Sequence, residues 1–265
     1  MTSLKEIIEN KKSEILELKK KYGEHIDVKA IKPPSFIVAL KKENELSVIA
    51  EIKRKSPSHG IMEQKDSVIE IAKEYEEGGA NAISVLTDKK FFDGSFEFLS
   101  AVSKVISIPA LCKDFILDKI QIDLARLSGA SAILLIAEIL DDRNLHELYE
   151  YAISSGIDVL LEVHEEENIK RALEMKAPII GINNRNLRTM QEDLNYSLKM
   201  IKYLPEEAVK LSLSSFRTRE DAIKAASAGF DGILVGASLM KSQNRKEALK
   251  EFLGIRREGN KTKEI

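Results

Sequence analysis

The sequence predicts a (β/α)8 barrel with an N-terminal helical extension, and two observations carry this prediction. Eight short runs of apolar or β-branched residues recur at 47–52, 81–86, 108–112, 131–136, 157–162, 178–182, 208–212 and 231–235. Amphipathic stretches long enough for a crossover helix separate most of them, which is the pattern of a parallel sheet. Eight such units over roughly 215 residues fit a closed barrel of about 250 residues. A doubly wound open sheet, the alternative, more often stops at about five to seven strands.

The N-terminal extension is the first element. Helical spacing within residues 4–21 predicts an amphipathic helix whose apolar residues are Leu4, Ile7, Ile8, Ile15 and Leu18. Pro33 and Pro34 interrupt the chain after this helix. A short apolar segment, residues 36–40, then precedes the first predicted strand.

Crossover helices are predicted at residues 66–78, 117–128, 142–155, 165–174, 194–203 and 217–228. Several end at a glycine just before the next strand, namely at Gly78-Gly79, Gly129, Gly156 and Gly229. Glycine in this position is typical of a helix C-terminus. No linker interrupts the series, so we expect one domain over residues 1–265, with residues 1–45 as the extension and residues 256–265 as a frayed tail.

The composition indicates a soluble protein with a substantial core, since 43% of the 265 residues are hydrophobic and 32% are charged. The formal net charge is −2, so the basic segment 53–55 is a local feature, and we expect no nucleic-acid partner. One cysteine, Cys112, excludes an internal disulfide, fits a reducing compartment and is more often a core thiol than a nucleophile. No apolar run approaches the ~18 residues of a membrane span. The N-terminus lacks a signal-peptide pattern, so we expect a cytoplasmic protein without a membrane partner.

Charged residues stand at the C-terminal ends of several predicted strands, where such barrels carry their chemistry. Alternate residues of a strand share a face, so Glu51 and Lys53 point the same way. The third strand ends at Lys113 and the fifth at Glu162. Two lysines and two glutamates at one mouth are difficult to explain as packing, because a buried charge needs a partner or a use. The pattern predicts a site for an anionic ligand and proton transfer; a solvated strand end before a basic turn is the alternative.

The segments after the seventh and eighth strands are rich in small residues. Hydroxyl groups and accessible backbone N–H groups precede helical stretches at Ser214, Ser215, Gly236 and Ala237. Phosphate groups commonly bind at this place in such barrels, and Lys55 and Ser56 could close over the same phosphate. Ordinary turn chemistry is the alternative.

Other candidate groups carry weaker signals. Phe91 and Phe92 could shelter an aromatic ring or equally plug the top of the barrel. The four histidines show no metal-ligand spacing, and His59 and His164 are expected in loops. No dinucleotide-binding or Walker-type loop is present, so a nucleotide cofactor is not indicated.

Six segments together form a specific pattern: I-A-E-I-K-R-K-S-P-S at 49–58, L-T-D-K-K-F-F-D-G-S at 86–95, C-K-D-F-I at 112–116, L-L-E-V-H at 160–164, I-G-I-N-N-R-N-L at 180–187 and V-G-A-S-L-M at 235–240. They resemble the indole-3-glycerol phosphate synthase family, the barrel enzymes of tryptophan biosynthesis. The resemblance extends from about residue 4 to residue 253 and includes the N-terminal extension.

The resemblance implies a reaction, the decarboxylation and ring closure of 1-(2-carboxyphenylamino)-1-deoxyribulose 5-phosphate. The products are indole-3-glycerol phosphate, carbon dioxide and water. It implies no metal and no organic cofactor. The partner is a small phosphorylated substrate derived from anthranilate, and we expect a monomer that could contact other enzymes of the pathway.

The resemblance also implies roles. Lys113 is the general acid and Glu162 the general base for the later proton losses. Lys53 holds the substrate carboxylate or shares the acid role, while Glu51 and Asn183 orient these groups and the sugar hydroxyls. Substrate and phosphate contacts are implied for Lys55, Ser56, Phe92, Phe115, Arg185, Leu187, Leu213, Ser214, Ser215, Gly236 and Ala237.

The chain departs from the family pattern at the seventh strand, which usually reads Glu-Ser-Gly-Ile. Leu213 replaces the carboxylate, Ser215 replaces a glycine that lets backbone approach phosphate closely, and Ala237 stands where Ser or Thr is usual. One interpretation is a working synthase that is slower or binds less tightly. The others are a synthase-derived barrel with an altered or lost activity for a phosphorylated or aromatic ligand, and a non-catalytic phosphate-binding barrel.

Overall fold

The computed structural model describes residues 3–28, 33–58, 60–62 and 65–257, and its centre is a closed barrel of eight parallel strands. The strands are β1 (Ser47–Ile52), β2 (Ala82–Leu86), β3 (Ala110–Lys113), β4 (Ala132–Ile136), β5 (Asp158–Val163), β6 (Ile179–Asn183), β7 (Val209–Leu213) and β8 (Gly232–Val235). Each lies within two residues of its predicted position. The predicted fold class is confirmed.

Neighbouring strands follow chain order around the barrel, and β8 pairs with β1 to close it. Ser47 lies opposite Gly232 at this seam. A Cβ atom at Gly232 would lie 3.0 Å from the Ser47 carbonyl oxygen, so glycine allows the two strands to approach. The segments before β1 and after β8 are also hydrogen-bonded to each other: Leu46 N–H donates to the Ile255 carbonyl at 2.9 Å.

The helices are α1 (Leu4–Tyr22), α2 (Phe36–Leu40), α3 (Val68–Glu77), α4 (Lys89–Phe92), α5 (Phe96–Ser103), α6 (Lys119–Leu127), α7 (Asp142–Ser154), α8 (Glu166–Glu174), α9 (Leu194–Met200), α10 (Arg219–Ala228), α11 (Ala237–Met240) and α12 (Arg245–Lys250). The predicted helices are present, although the last turn of the one at 194–203 is a 3-10 helix. The short helices α2, α4, α5, α11 and α12 were not predicted. Within the described ranges, no helix is long and apolar enough to cross a membrane.

Helix α1 is fixed to the barrel by a buried ion cluster. Lys11 Nζ lies 2.9 Å from Asp88 Oδ2 and 2.8 Å from Asp114 Oδ1, and its side chain is only 2% exposed. Thr87 donates to the second oxygen of Asp114 at 2.7 Å. Asp88 and Asp114 follow β2 and β3, so the extension reaches the end of the barrel that carries Lys113.

Helix α2 covers the opposite end. The N–H groups of Phe36 and Ile37 donate to the Asp158 carboxylate at the start of β5, at 3.1 and 3.2 Å. Phe36 and Leu40 are fully buried and belong to the same apolar cluster as the interior of the barrel. Helix α2 thus closes the N-terminal end of the barrel interior, and the cavities beside Lys53 open at the C-terminal end.

Candidate active site

The first charged pair lies at the end of β1. Lys53 donates to Glu51 Oε1, as the shared strand face predicts. Burial alone would raise the pKa of Glu51, but the nearby charges of Lys53, Lys113 and Arg185 outweigh burial and lower it. Glu51 therefore remains a buried anion that holds a lysine at the mouth of the barrel.

The second charged pair joins β3 to β5. Lys113 Nζ lies 3.1 Å from Glu162 Oε2, and Asn183 Nδ2 donates to Glu162 Oε1 at 2.8 Å. Gly181 of β6 pairs with Glu162 of β5, and Asn183 lies two residues further along β6 on the same face of the strand. Lys113 retains some exposure whereas Glu162 is buried. An amine donor and a carboxylate acceptor thus share one place, as proton transfer to and from a single substrate requires.

A cavity of about 100 Å³ opens above this pair. Its apolar wall is formed by Leu86, Phe92, Phe115, Leu134, Ile136 and Leu187. The Phe92 and Phe115 ring centroids are 6.0 Å apart. Of the two expectations for Phe92, the structure favours a cavity wall over a plug. The wall suits a flat aromatic group whose polar substituents face the lysines.

A larger cavity of about 340 Å³ adjoins the first. Glu51, Lys53, Arg185 and Ser214 line both cavities, so the two form one continuous site. The remaining lining residues of the larger cavity are Glu192, Ser215, Phe216, Arg217, Leu234, Gly236, Ala237, Ser238 and Lys241. This part of the site is polar and rich in cations, which suits an anionic group.

The backbone of the larger cavity has two special features. Ser214 and Ser215 have φ angles of 70° and 73°, a left-handed conformation that residues with a Cβ atom rarely adopt. At Gly236 a Cβ atom would lie 2.7 Å from Glu51 Oε1 and 3.3 Å from Lys53 Nζ. Glycine at 236 therefore leaves room for the first charged pair in its present position.

Arg185 is held by a carboxylate that the sequence analysis did not identify. Glu192 accepts from Arg185 Nη2 and, through its other oxygen, from Arg217 Nη2 at 3.1 Å. Arg185 and Glu192 also form an antiparallel backbone bridge within the loop after β6. The loops after β6 and β7 are thereby joined over the larger cavity. No local sequence pattern marks Glu192, because the contact depends on how its loop folds back.

Three of the predicted binding residues do not line either cavity. Lys55 and Ser56 belong to a short hairpin in which residues 55–56 pair with residues 60–61, and Lys55 Nζ lies 3.4 Å from the Lys90 carbonyl oxygen. Leu213 is buried beneath the site, where it packs over Gly181. The other predicted site residues each line one or both cavities.

The remaining candidates, Cys112 and His164, do not line either cavity. Cys112 is buried, and burial raises the pKa of its thiol to about 12, as expected of a core thiol. His164 lies just after β5, while His59 lies outside the described residues. Among the described side chains, no group of three or more His, Cys, Asp or Glu is placed to hold a metal ion.

A (β/α)8 barrel with an amine–carboxylate pair, an apolar cavity and a cationic cavity at its C-terminal end is characteristic of an enzyme that acts on an anionic, partly aromatic substrate. The model of the family "Indole-3-glycerol phosphate synthase" matches residues 4–252. This chain therefore belongs to the indole-3-glycerol phosphate synthase family.

Individual proteins with similar sequences belong to the same family. An indole-3-glycerol phosphate synthase from Exiguobacterium sibiricum is 47% identical over 212 residues, which are 80% of this chain and 82% of the relative. The synthase from Staphylococcus aureus (strain Newman) is 40% identical over 254 residues, 95% and 97% of the two chains.

Solved structures of other barrels support the fold alone. The 3-hexulose-6-phosphate synthase from Salmonella typhimurium superposes with a TM-score of 0.63 at 11% identity, covering 78% of this chain and 96% of that one. The thiamine phosphate pyrophosphorylase from Pyrococcus furiosus has a TM-score of 0.58 at 16% identity, with 78% and 93% covered.

Proposed function

We propose that this chain converts 1-(2-carboxyphenylamino)-1-deoxyribulose 5-phosphate to indole-3-glycerol phosphate, carbon dioxide and water. Family membership supports the reaction. The observation that carries it in this molecule is the contact of Lys113 with Glu162, which Asn183 also holds, where an apolar cavity meets a cationic one. The substrate has the same polarity, with an aromatic ring at one end and a phosphate at the other.

Substrate binding follows from the two cavities. The aromatic ring packs against the Phe92 and Phe115 wall, and its carboxylate faces Lys53. The phosphate occupies the larger cavity, near the backbone of Ser215 and Gly236. This pose places the ribulose carbonyl at the junction of the two cavities, beside Lys113.

Ring closure then needs an acid. As the ring carbon that bears the carboxylate attacks the ribulose carbonyl carbon, Lys113 donates a proton to the carbonyl oxygen. The carboxylate leaves as carbon dioxide, and its bonding electrons restore the aromatic ring. A preorganised cation at the developing oxyanion is among the most effective ways to stabilise such a transition state.

Dehydration needs a base as well as an acid. Glu162 removes a proton from the carbon next to the amine, and the hydroxyl formed in the first step leaves as water after protonation by a lysine. Asn183 holds Glu162 Oε1 by its amide, so Oε2 faces Lys113 and the substrate. Lys53, held by Glu51, keeps the substrate carboxylate in place before it leaves.

The test is turnover of the carboxyphenylamino-deoxyribulose phosphate, followed by the rise of indole fluorescence. The chain contains no tryptophan, so the protein background is low. We expect turnover that Lys113→Met reduces by more than about 1000-fold, as expected for loss of a general acid at an oxyanion site. Lys73→Met, an exposed lysine of α3, is the matched control and leaves turnover unchanged.

Absence of turnover with retained binding of the substrate would contradict the proposal. It would favour the altered or non-catalytic barrel, whose basis is the unusual Leu213 and Ser215. The retained Lys113–Glu162 contact argues for the synthase, because phosphate binding alone does not need it.

We also propose that the enzyme acts in the cytoplasm as a monomer. The biosynthetic family and the single, buried Cys112 support this location. Light scattering at micromolar concentration tests the monomer, and a mass near twice 29.7 kDa would contradict it.

A further inference from the structure

We propose that His164 is a positioning residue that holds Asn183 and the loop after β6, and through them the base Glu162. This inference rests on the proposed function. His164 lies two residues after Glu162, at the point where β5 enters its loop, and it does not line either cavity. Its imidazole joins the C-terminal ends of β5 and β6.

The hydrogen bonds of the ring fix its tautomer. His164 Nδ1 lies 2.8 Å from the main-chain carbonyl oxygen of Asn183. A carbonyl oxygen only accepts, so Nδ1 carries the proton. His164 Nε2 lies 3.2 Å from Asn186 Nδ2, which is a donor, so Nε2 accepts.

The amide of Asn186 has only one usable orientation. Its Oδ1 accepts the backbone N–H groups of Arg188 at 2.9 Å and Thr189 at 3.0 Å. The amide NH2 therefore faces His164, and a flipped amide would lose both backbone bonds. The imidazole is thus required as a donor on one side and as an acceptor on the other.

The ring is also held in its plane. It stacks on Tyr196 of α9 with ring centroids 4.2 Å apart, and the Tyr196 hydroxyl donates to the His164 carbonyl. The His164 backbone N–H donates to Glu138 after β4. The stacking contact restrains the ring, and the two backbone bonds fix the main chain that carries it, so the ring has little freedom to turn away from Asn183.

Asn183 transmits this order to the site. Its amide Nδ2 donates to Glu162 Oε1 at 2.8 Å, and its Oδ1 accepts the Arg185 N–H at 2.9 Å. Both of these hydrogen bonds depend on the position of the Asn183 backbone, which the bond from His164 holds in place. The imidazole therefore has two separable effects: Nδ1 positions the base, and Nε2 positions the loop that carries Arg185.

A pair of variants separates the two effects. Asn places its Nδ2 where His has Nδ1, so His164→Asn keeps the donor to Asn183 but cannot reach Asn186. His164→Leu has a similar size and keeps neither bond. We expect His164→Leu to lower kcat about tenfold, the effect of one hydrogen bond. His164→Asn retains kcat within about twofold, and both variants raise KM several-fold because the Arg185 loop loses Asn186.

A second apolar variant provides the same test if His164→Leu folds poorly. His164→Phe keeps a ring on Tyr196 without any nitrogen, and the same tenfold loss of kcat is expected. Equal kcat in wild type and both apolar variants would overturn the inference, as would an equal loss in His164→Asn and His164→Leu. Failure of the proposed function is recognised separately, because the wild type would then show no turnover.

Discussion

At the scale of single residues, the larger cavity stores backbone strain. Ser214 and Ser215 are consecutive left-handed residues, and this conformation costs roughly 1–2 kcal/mol for each residue with a Cβ atom. Such strain is commonly kept where a loop must present its backbone to a ligand. The bonds from Asn184 to Ser212 and to the Ser214 carbonyl help to hold the loop in this shape.

Ser215→Gly should remove part of this strain. Glycine adopts a φ of 73° without a steric penalty, so we expect the free energy of unfolding to rise by about 1 kcal/mol. Urea denaturation measures the change. Ser215→Ala is the control, because it removes the hydroxyl but keeps the Cβ atom. An equal gain from alanine would show that the buried hydroxyl, not the backbone, is the source of the cost.

Leu213→Glu combined with Ser215→Gly should raise kcat/KM. The change restores a carboxylate at the end of β7, level with Asn183, and lets the backbone approach the phosphate. We expect a rise of roughly tenfold, the effect of one hydrogen bond to a charged group. Leu213→Gln with Ser215→Gly is the uncharged control. An unchanged or lower kcat/KM in the glutamate protein would count against a synthase that is merely weakened at β7.

Much of the site could be predicted from single residues at strand ends. Glu51, Lys53 and Lys113 were identifiable because strand alternation and chain order determine where they point. Glu192 and His164 were not, since their contacts depend on the path of the loop after β6. The one available signal for His164 was its place two residues after Glu162.

At the scale of elements, helix α1 is joined to the barrel by charge as well as by apolar packing. Lys11 follows Ile7 by four residues and precedes Ile15 by four, so it lies on the buried stripe of the helix. The spacing was visible in the sequence, but a lysine on an amphipathic helix is usually solvated. Its burial is explained by the two buried carboxylates after β2 and β3, distant along the chain, which pair with it together with Glu14 of the same helix.

Lys11→Met should detach α1 from the barrel. Loss of the ammonium leaves Asp88 and Asp114 buried without their cation, and we expect the free energy of unfolding to fall by about 3–5 kcal/mol. Lys12→Met, which removes only an exposed pair with Glu9, should cost less than about 1 kcal/mol. Similar losses in both variants would contradict a special role for the buried cluster.

The contribution of Lys11 to the free energy of unfolding depends on pH. Burial alone would lower the pKa of Lys11, but Asp114 and Asp88 outweigh burial and raise it above the ordinary value. The contribution of Lys11 is therefore fully present below about pH 10 and is lost only in strongly alkaline solution. The unfolding free energies of wild type and Lys11→Met should differ by the same amount at pH 8 and at pH 9. A difference that shrinks by pH 9 would contradict this expectation.

At the scale of the whole molecule, stability depends on closing the barrel between β1 and β8. All eight strands could be predicted because buried parallel strands read as continuous apolar runs. Helix α5, at 96–103, was not predicted, since its phenylalanines give little polar face to recognise. The hairpin at 55–61 was not predicted because its strands are only two residues long.

Gly232→Val should impede this closure. The added side chain would meet the Ser47 carbonyl and the Leu211 side chain, each 3.0 Å from a Cβ atom at this position. We expect a loss of about 3 kcal/mol in unfolding free energy, at the upper end of overpacking effects. Gly156→Asn is the control, because its φ of 76° suits asparagine and its surroundings are open. A comparable loss in both proteins would argue against closure as the cause.

The pairing of β1 with β8 also determines when the barrel can close during translation. On the ribosome, β1 can pair with β2 soon after residues 82–86 emerge, but its other edge remains unpaired until residues 232–235 have left the exit tunnel. An unpaired edge of apolar residues such as Val48 and Ile49 is a template for association with another chain. We therefore expect the nascent chain to keep this edge exposed until late in translation, when chaperones that cover strand edges would protect it.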